Sequence, residues 1–388
     1  MDGRVIDAPA APSASRETAR RPWRERFAAW RAGLIANPKF QAWAAKFPLT
    51  RGLSRDRARS LFDLCAGFVY TQILFACVRL NVFERLAEGF SDVDALADSL
   101  ELSPERARIL LDGAVSLGLL TRLDRRYGLG DLGAALLANP GVVAMIEHHA
   151  MLYADLRDPV ALLRTQAVDS ELSRYWPYAS TDDPAALSQD RVAAYSKLMA
   201  ASQPFIASEV TAAYRFDRHK VLLDVGGGEG AFVSAVAPTA PDLELRVFDL
   251  PAVADRAEAR FAELGLSQRS MVYRGDFYKE ALPQGADIIS LIRVLYDHTE
   301  DGVLSILRSV YAALPPGGVL IVAEPMAGAP SARAMGDAYF GFYLLAMGRG
   351  QARTPHALKR LIGKAGFKSV KQRPTNTPVL TGVIVAQR

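Results

Sequence analysis

The sequence predicts an α/β protein in two main parts. The N-terminal half is mainly helical, and the C-terminal half is built on a parallel sheet that closes with an antiparallel hairpin. Three observations carry this prediction. Val221–Ala231, reading VLLDVGGGEGA, is an apolar strand that runs into a loop with glycines at 226, 227, 228 and 230. Beyond it, strand-like runs alternate with helical segments, which implies right-handed parallel crossovers. The last two runs, Ser369–Gln372 and Thr381–Ala386, are joined only by the turn-rich Arg373–Leu380 and must pair as a hairpin.

Each element of the C-terminal half follows from its residues. Glycine reaches positive φ at little cost, so the loop after Val225 exposes backbone N–H groups to a nucleotide that approaches closely. Asp249, in RVFDLP, stands at the end of the next apolar run, where a carboxylate accepts hydrogen bonds from both ribose hydroxyls. The spacing then predicts a helix over Ala254–Leu264, a strand ending in YRGDFY, a strand in DIISLIRVLYDH and another in LPPGGVLIVAE. Gly226, Gly228 and Ala231 also satisfy a dinucleotide fingerprint. The antiparallel closing strand speaks for a methyltransferase-type sheet instead.

The N-terminal half shows two more patterns. Ser91 is a candidate cap for a helix through Leu100, and Ser103-Pro104-Glu105 starts a helix to about Leu117. The stretch LGLLTRLDRRYGLG, turning at Asp124–Arg126, then reads as a wing hairpin. Residues 1–18 read as disordered. From Arg20 the chain is basic and aromatic: Trp23, Phe27, Trp30 and Leu34 share one helical face, with Arg24, Arg26 and Arg31 off it. Phe40, Trp43 and Phe47 repeat the pattern after the Asn37-Pro38 break. Two readings stand for residues 20–47: packing on the helical domain or across a dimer, and contact with a membrane surface.

Composition suits a soluble protein with two cores, at 388 residues and 50% hydrophobic content. The cysteines, Cys65 and Cys77, lie in the apolar run 61–78, too far apart on one helix to pair. They read as buried thiols in a reducing compartment, and the run itself as a buried helix rather than a bilayer span.

With these residues in view, the chain from Val221 to Arg388 resembles the catalytic domain of the S-adenosylmethionine-dependent O-methyltransferases related to caffeate and hydroxyindole methyltransferases. The VGGGEG loop, FDLP at 248–251, GDF at 275–277, RVLYDH at 293–298, PPGG at 315–318, AE at 323–324 and RTP at 353–355 carry the resemblance. It implies a Rossmann-like class I fold over 216–388, a helical winged-helix dimerisation domain over 51–215 that does not touch nucleic acid, and an N-terminal extension over 1–50. It further implies S-adenosylmethionine as cofactor and a homodimer. The cofactor set would be Gly226, Gly228, Gly230, Asp249, Leu250, Gly275, Asp276, Phe277 and Arg293. Asp249 would hold the ribose and Asp276 the adenine amino group, with Phe277 beside the ring and Arg293 near the methionine end. Asp276 follows a glycine at a strand end and Phe277 offers a flat apolar face, in keeping with those roles.

The chain departs from its relatives at the chemistry. Many of them read LHDW where this chain reads Leu295-Tyr296-Asp297-His298, and their histidine deprotonates a phenol. A neutral tyrosine is a poor base at pH 7. The carboxylate that flanks the relatives' site in GxERT is replaced by Ala352. Three residues are candidates for handling the acceptor proton: Tyr296 as an orienting group, His298 as base, and Glu324 as a residue that fixes either. No cluster of metal-ligating spacing appears near Tyr296, so no metal is expected. With the N-terminal pattern and the closing RPTNTPVLTGVIVA, the chain resembles most the carotenoid O-methyltransferases of photosynthetic bacteria, which methylate a tertiary hydroxyl of acyclic carotenoids such as demethylspheroidene and hydroxyneurosporene. Ala338–Met347, AYFGFYLLAM, would then line an apolar tunnel. The resemblance implies a cytoplasmic enzyme, with peripheral contact to the inner or chromatophore membrane as one reading of residues 20–47. Two alternatives remain: methylation of another pigment or polyketide, including bacteriochlorophyllide C-methylation or phenolic O-methylation, and a non-catalytic winged-helix ligand sensor.

Overall fold

The structure, a computed structural model, describes residues 22–165, 169–175, 189–328, 333–378 and 381–388. The disorder expected for 1–18, and Arg20, lie outside the described residues. Contacts divide the chain into two compact units, Met1–Gln72 and Ile73–Arg388.

The first unit holds α1 (Trp23–Ala36), α2 (Pro38–Lys46) and most of α3 (Arg51–Arg79). Asn37 ends α1 and caps α2: its side chain accepts from Lys39 N–H at 2.9 Å and Phe40 N–H at 3.3 Å, with Pro38 at the first helical position. The aromatic side chains are exposed, Trp23 by 71% and Trp30 by 60%. Trp43 stacks on Phe47 with ring centroids 4.9 Å apart. The expectation of a buried 61–78 helix is corrected. Leu61, Phe62, Leu64 and Phe68 are exposed, and only Cys77 and Val78 of α3 are buried. Cys65 is likewise exposed rather than buried. Among the described residues these side chains stay accessible, so apolar composition alone does not bury the run. By length and composition alone, α3 is also apolar enough to cross a bilayer, a test that the core helix of a soluble protein passes equally.

The second unit opens with α4 (Val82–Arg85), β1 (Ser91–Asp92), α5 (Val93–Ser99), α6 (Pro104–Ser116), β2 (Leu120–Leu123), β3 (Arg126–Leu129) and α7 (Asp131–Leu137). Ser103 caps α6 as expected, accepting from Arg106 N–H. The hairpin forms with Asp124 at φ 54 in its turn, and β1 adds a third strand to it. Ser91 is not the cap of α5. It pairs with Tyr127 in the sheet, and Asp92 takes the capping role, accepting from Asp94 N–H at 3.1 Å and Ala95 N–H at 2.9 Å. Then come α8 (Pro140–Asp155), α9 (Pro159–Arg164), α10 (Glu171–Tyr175) and α11 (Gln189–Ala213).

The remaining elements are β4 (Val221–Val225), α12 (Ala231–Val236), β5 (Glu244–Asp249), α13 (Pro251–Glu263), β6 (Ser270–Arg274), β7 (Ile288–Ile292), α14 (Glu300–Ala313), β8 (Val319–Glu324), α15 (Phe340–Met347), α16 (Pro355–Lys364), β9 (Lys368–Arg373) and β10 (Gly382–Gln387). A π-helical segment, Ala334–Tyr339, leads into α15. Proline at the first position starts α13 three residues before the predicted Ala254. Among the described residues the strands form one sheet in the order β6-β5-β4-β7-β8-β10-β9. Only β10 runs against its neighbours, pairing Gly382 with Glu324 and Val383 with Arg373. The central strands are buried on both faces, as a sheet covered by helices on each side requires. One face packs on α14 and α16 through Ile306, Leu307, Leu358 and Leu361, the other on α11–α13 through Val210, Phe232, Val233 and Phe261. Strand order reverses between β4 and β7, so the crevice for a ligand opens at the C-terminal ends of these strands.

Candidate active site

A cavity of about 160 Å³ lies at that crevice. The glycine loop forms its floor. Gly226 and Gly228 hold φ of 68° and 61°. A Cβ on Gly228 would meet nothing within 4 Å, so this backbone is open to the cavity, whereas one on Gly226 would press on Val294 at 2.9 Å. Gly230 does not line the cavity: it starts α12, and a Cβ there would meet the Phe261 ring at 2.8 Å. Gly275 is also set back, its missing side chain making room for Phe248 and Glu280.

Asp249 faces the loop from the end of β5. Its carboxylate accepts the N–H of Gly228 at 2.7 Å and of Leu250 at 2.7 Å, and burial pushes its pKa up to about 6. Leu250, Asp276 and Phe277 complete this wall. Asp276 is buried and accepts from Tyr278 N–H at 2.9 Å, which fixes the turn presenting Phe277. Arg293 lines the opposite side at φ 58. Its backbone N–H donates to Ala323 at 2.8 Å, and its guanidinium donates to Ser202 Oγ at 2.7 Å and Met199 carbonyl at 2.8 Å. It thereby ties α11 to the sheet and brings Met199, Ala200 and Gln203 into the cavity wall.

The Leu295–His298 turn is gripped by its backbone. Glu324, fully buried, accepts Tyr296 N–H at 3.1 Å. Arg353 donates to the carbonyls of Leu295 at 2.9 Å and His298 at 2.6 Å, and Gln351 N–H donates to Tyr296 carbonyl at 2.7 Å. Burial pushes Glu324 up to about 7, with Arg353 opposing it. Asp297 and His298 line the cavity; Tyr296 and Glu324 do not. The Tyr296 ring packs instead among Leu152, Leu162, Leu172, Tyr343 and Met347, where burial holds its hydroxyl well above pH 10 and therefore neutral. His298 bonds the Tyr278 hydroxyl through Nδ1 at 2.8 Å. Burial, with Arg349 and Arg353, pushes its pKa down to about 4, so the ring is neutral at pH 7.

Sequence reasoning missed Asp224. Its Oδ1 accepts from Ser290 hydroxyl at 2.6 Å, its Oδ2 is buried beneath Gly227 without a hydrogen-bond partner among the described residues, and burial pushes it up to about 7. The signal was an acid inside an apolar strand directly before the glycines. The α11 residues and Arg349 carried no local signal, because they reach the cavity through tertiary packing. Among the described residues, no three of His, Cys, Asp and Glu are grouped to hold a metal ion.

A class I methyltransferase sheet with its ligand crevice at the β4–α12 loop defines the class of protein. The family model for the O-methyltransferase domain matches residues 153–368, and that for the O-methyltransferase dimerisation domain matches 62–139, so the chain belongs to this O-methyltransferase family. It is 41% identical over 360 residues, covering 92% of this chain and 93% of the relative, to demethylspheroidene O-methyltransferase of Cereibacter sphaeroides. It is 39% identical over 346 residues, 88% and 85% of the two chains, to demethylspheroidene O-methyltransferase of Rhodobacter capsulatus. Human N-acetylserotonin methyltransferase, solved in complex with SAM, superposes with a TM-score of 0.71 at 26% identity, covering 86% of this chain and 97% of that one. The chain is an S-adenosylmethionine-dependent O-methyltransferase. Its dimerisation domain supports a homodimer, and the family a small-molecule substrate. The residues present fit the cofactor: an open backbone at Gly228, the inward carboxylates of Asp249 and Asp276, and the Phe277 ring together suit an adenosine.

Proposed function

We propose that this enzyme transfers the methyl group of S-adenosylmethionine to the tertiary hydroxyl of an acyclic carotenoid of the demethylspheroidene or 1-hydroxyneurosporene type. One observation carries the reading: the residue at the phenol-activating position, Tyr296, is neutral and packed in an apolar cluster with Leu152, Tyr343, Leu344 and Met347. A neutral, buried hydroxyl at this position cannot deprotonate a phenol, which suits an aliphatic alcohol as acceptor better than a phenol. The demethylspheroidene O-methyltransferase relatives support the same reading.

When bound, the cofactor supplies an electrophilic methyl group on a sulfonium; the S–CH3 bond breaks as the O–CH3 bond forms, and the acceptor proton leaves. The chain's part is to bind and align. Asp249 and Asp276 hold the nucleoside, while the clamp of Arg293 on α11 keeps Met199 and Gln203 over the cavity and limits water. A tertiary alcohol gives up its proton late, after the oxygen turns cationic, so a weak base suffices. His298 lines the cavity as a neutral ring, with Nε2 the nitrogen not engaged by Tyr278. It takes that proton, and Glu324 holds the turn that carries His298 and the buried Tyr296.

Residues 51–215 form the dimerisation part and 216–388 the catalytic part of a cytoplasmic enzyme. Between Pro22 and Phe47 stand five Lys or Arg against one Glu, in a chain of net charge +4. With its exposed tryptophans, this extension makes a peripheral contact with an anionic membrane surface, where the acceptor is dissolved. Incubation with labelled S-adenosylmethionine and a series of acyclic hydroxycarotenoids tests the acceptor. Label in the methoxy product supports the reading, and turnover only with phenols would sink it.

A further inference from the structure

A second cavity, about 520 Å³, is lined by residues of α15 and of the loop that follows it. Met347 lines the cofactor cavity, while Leu344, Leu345 and Gly348 line the second one. Arg349 lines both, so the two spaces meet at this residue. Three features suit the second space to a chain of hydrocarbon. The first is its wall, where Ala327, Leu344, Leu345 and Ala352 supply apolar surface. The second is that its one acidic group is already engaged: Asp337 accepts Gly328 N–H at 2.7 Å and faces Arg333. The third is backbone without side chains. Gly336 lies in the π-helical segment, whose wider turn opens room, and a Cβ there would strike the Met326 carbonyl. Gly341 lies in the first turn of α15, and a Cβ there would meet nothing within 4 Å.

The loop Gly348–Arg353 is shared between the spaces. It lines the second cavity through Gly348–Ala352 and grips the turn carrying Asp297 and His298 through Gln351 and Arg353. A molecule in the second cavity therefore rests on the same loop that positions the reacting end.

We propose that the second cavity holds the part of the acceptor chain distal to its hydroxyl, and that Gly341 sets how bulky a chain is admitted. This rests on the acceptor reading above. An extended apolar molecule entering past Gly341 passes Arg349 to bring its terminal hydroxyl to the cofactor cavity. A side chain at 341 projects into that path, at a helical position where the backbone tolerates any residue.

The test uses the full-length protein with two acceptors, an acyclic hydroxycarotenoid and a short tertiary alcohol with the same dimethylcarbinol end. In the series Gly341→Ala, Gly341→Leu and Gly341→Trp, KM for the carotenoid should rise with side-chain size, about tenfold or more at tryptophan. The short alcohol should change by less than about threefold, and the cofactor Kd from calorimetry should stay constant. Thr165→Trp, which narrows the same cavity from the end of α9, provides the second variant should Gly341→Trp fail to fold, and the same split is expected of it. An unchanged carotenoid KM in folded variants, or an equal loss for both acceptors, overturns the proposal. A wild-type enzyme that methylates neither alcohol overturns the acceptor reading and this inference together, an outcome distinct from normal wild-type turnover with indifferent variants.

Discussion

Glu324 accepts the backbone N–H of Tyr296 at 3.1 Å from the C-terminal end of β8, so the sheet itself fixes the turn whose Asp297 and His298 line the cavity. The bond is made by a fully buried carboxylate whose second oxygen has no partner among the described residues. Its chemistry is therefore structural first.

Glu324→Gln keeps the acceptor oxygen and the shape, and turnover should fall by less than about tenfold. Glu324→Ala leaves Tyr296 N–H buried and unpaired and should cost about 1–3 kcal/mol in denaturant unfolding. The pH dependence has a definite sign. A folded pKa raised to about 7 from 4.5 means the native state binds the extra proton, so this group's contribution falls as pH rises from 4.5 through 7. The stability difference between wild type and Glu324→Gln should shrink over that window, and a flat difference would remove the assignment.

Asp249→Ala should raise the Kd for S-adenosylmethionine by roughly ten- to a hundredfold, from the loss of one or two charge-assisted hydrogen bonds. Calorimetry on the folded variant checks it. Unchanged affinity would place the ribose elsewhere.

His298 titrates near pH 4 rather than at the 6.5 of an ordinary histidine, so its neutral form persists down to that pH. If it takes the acceptor proton, the wild-type rate should show an acid limb near pH 4, and His298→Ala should be slower and lack it. Tyr296→Phe should keep the limb and lower turnover by less than about tenfold, well short of a positioned proton-transfer group, because the ring lies in the apolar cluster and not on the cavity. Profiles measured side by side at saturating cofactor decide the matter; wild-type turnover in both variants would leave alignment alone as the source of rate.

The exposed face of α3 should be covered in the homodimer. Leu64→Glu with Phe68→Glu should give a monomer by light scattering at micromolar concentration, because a buried interface does not accept unpaired carboxylates. A dimer that survives both changes has its interface elsewhere.

Removal of residues 20–47 should abolish sedimentation with anionic vesicles while dimerisation and cofactor affinity persist, and salt should weaken binding of the intact protein. Aggregation of the shortened protein would instead assign these helices to packing.

The sheet was legible because its central strands β4, β7 and β8 are apolar runs followed by turn signals, and the short Arg373–Leu380 link forces β9 and β10 to pair. The glycine loop that lines the cavity was legible from the same kind of local signal. What the sequence concealed depends on long-range contacts. The reach of Arg293 to Ser202 spans 91 positions, and no spacing rule foresees it. Hydropathy marked 61–78 as apolar yet says nothing of whether the covering surface lies in the same chain, which is why Leu64 and Cys65 were misplaced. Ser91 lost the capping role because the neighbouring Asp92 competes for it and a strand claims the serine.

At Tyr296 the polar grip on the turn falls on main-chain atoms: Glu324 holds its N–H and Gln351 its carbonyl, while Arg353 holds the flanking carbonyls of Leu295 and His298. The backbone here is thus held in a way that does not depend on which side chain stands at 296. A histidine could be exchanged for a tyrosine at 296 with the cost confined to the packing of that one ring, and no strand, loop or cofactor contact needs to be rebuilt. Acceptor chemistry can in this way drift by single substitutions while the methyl-donor half of the site stays fixed.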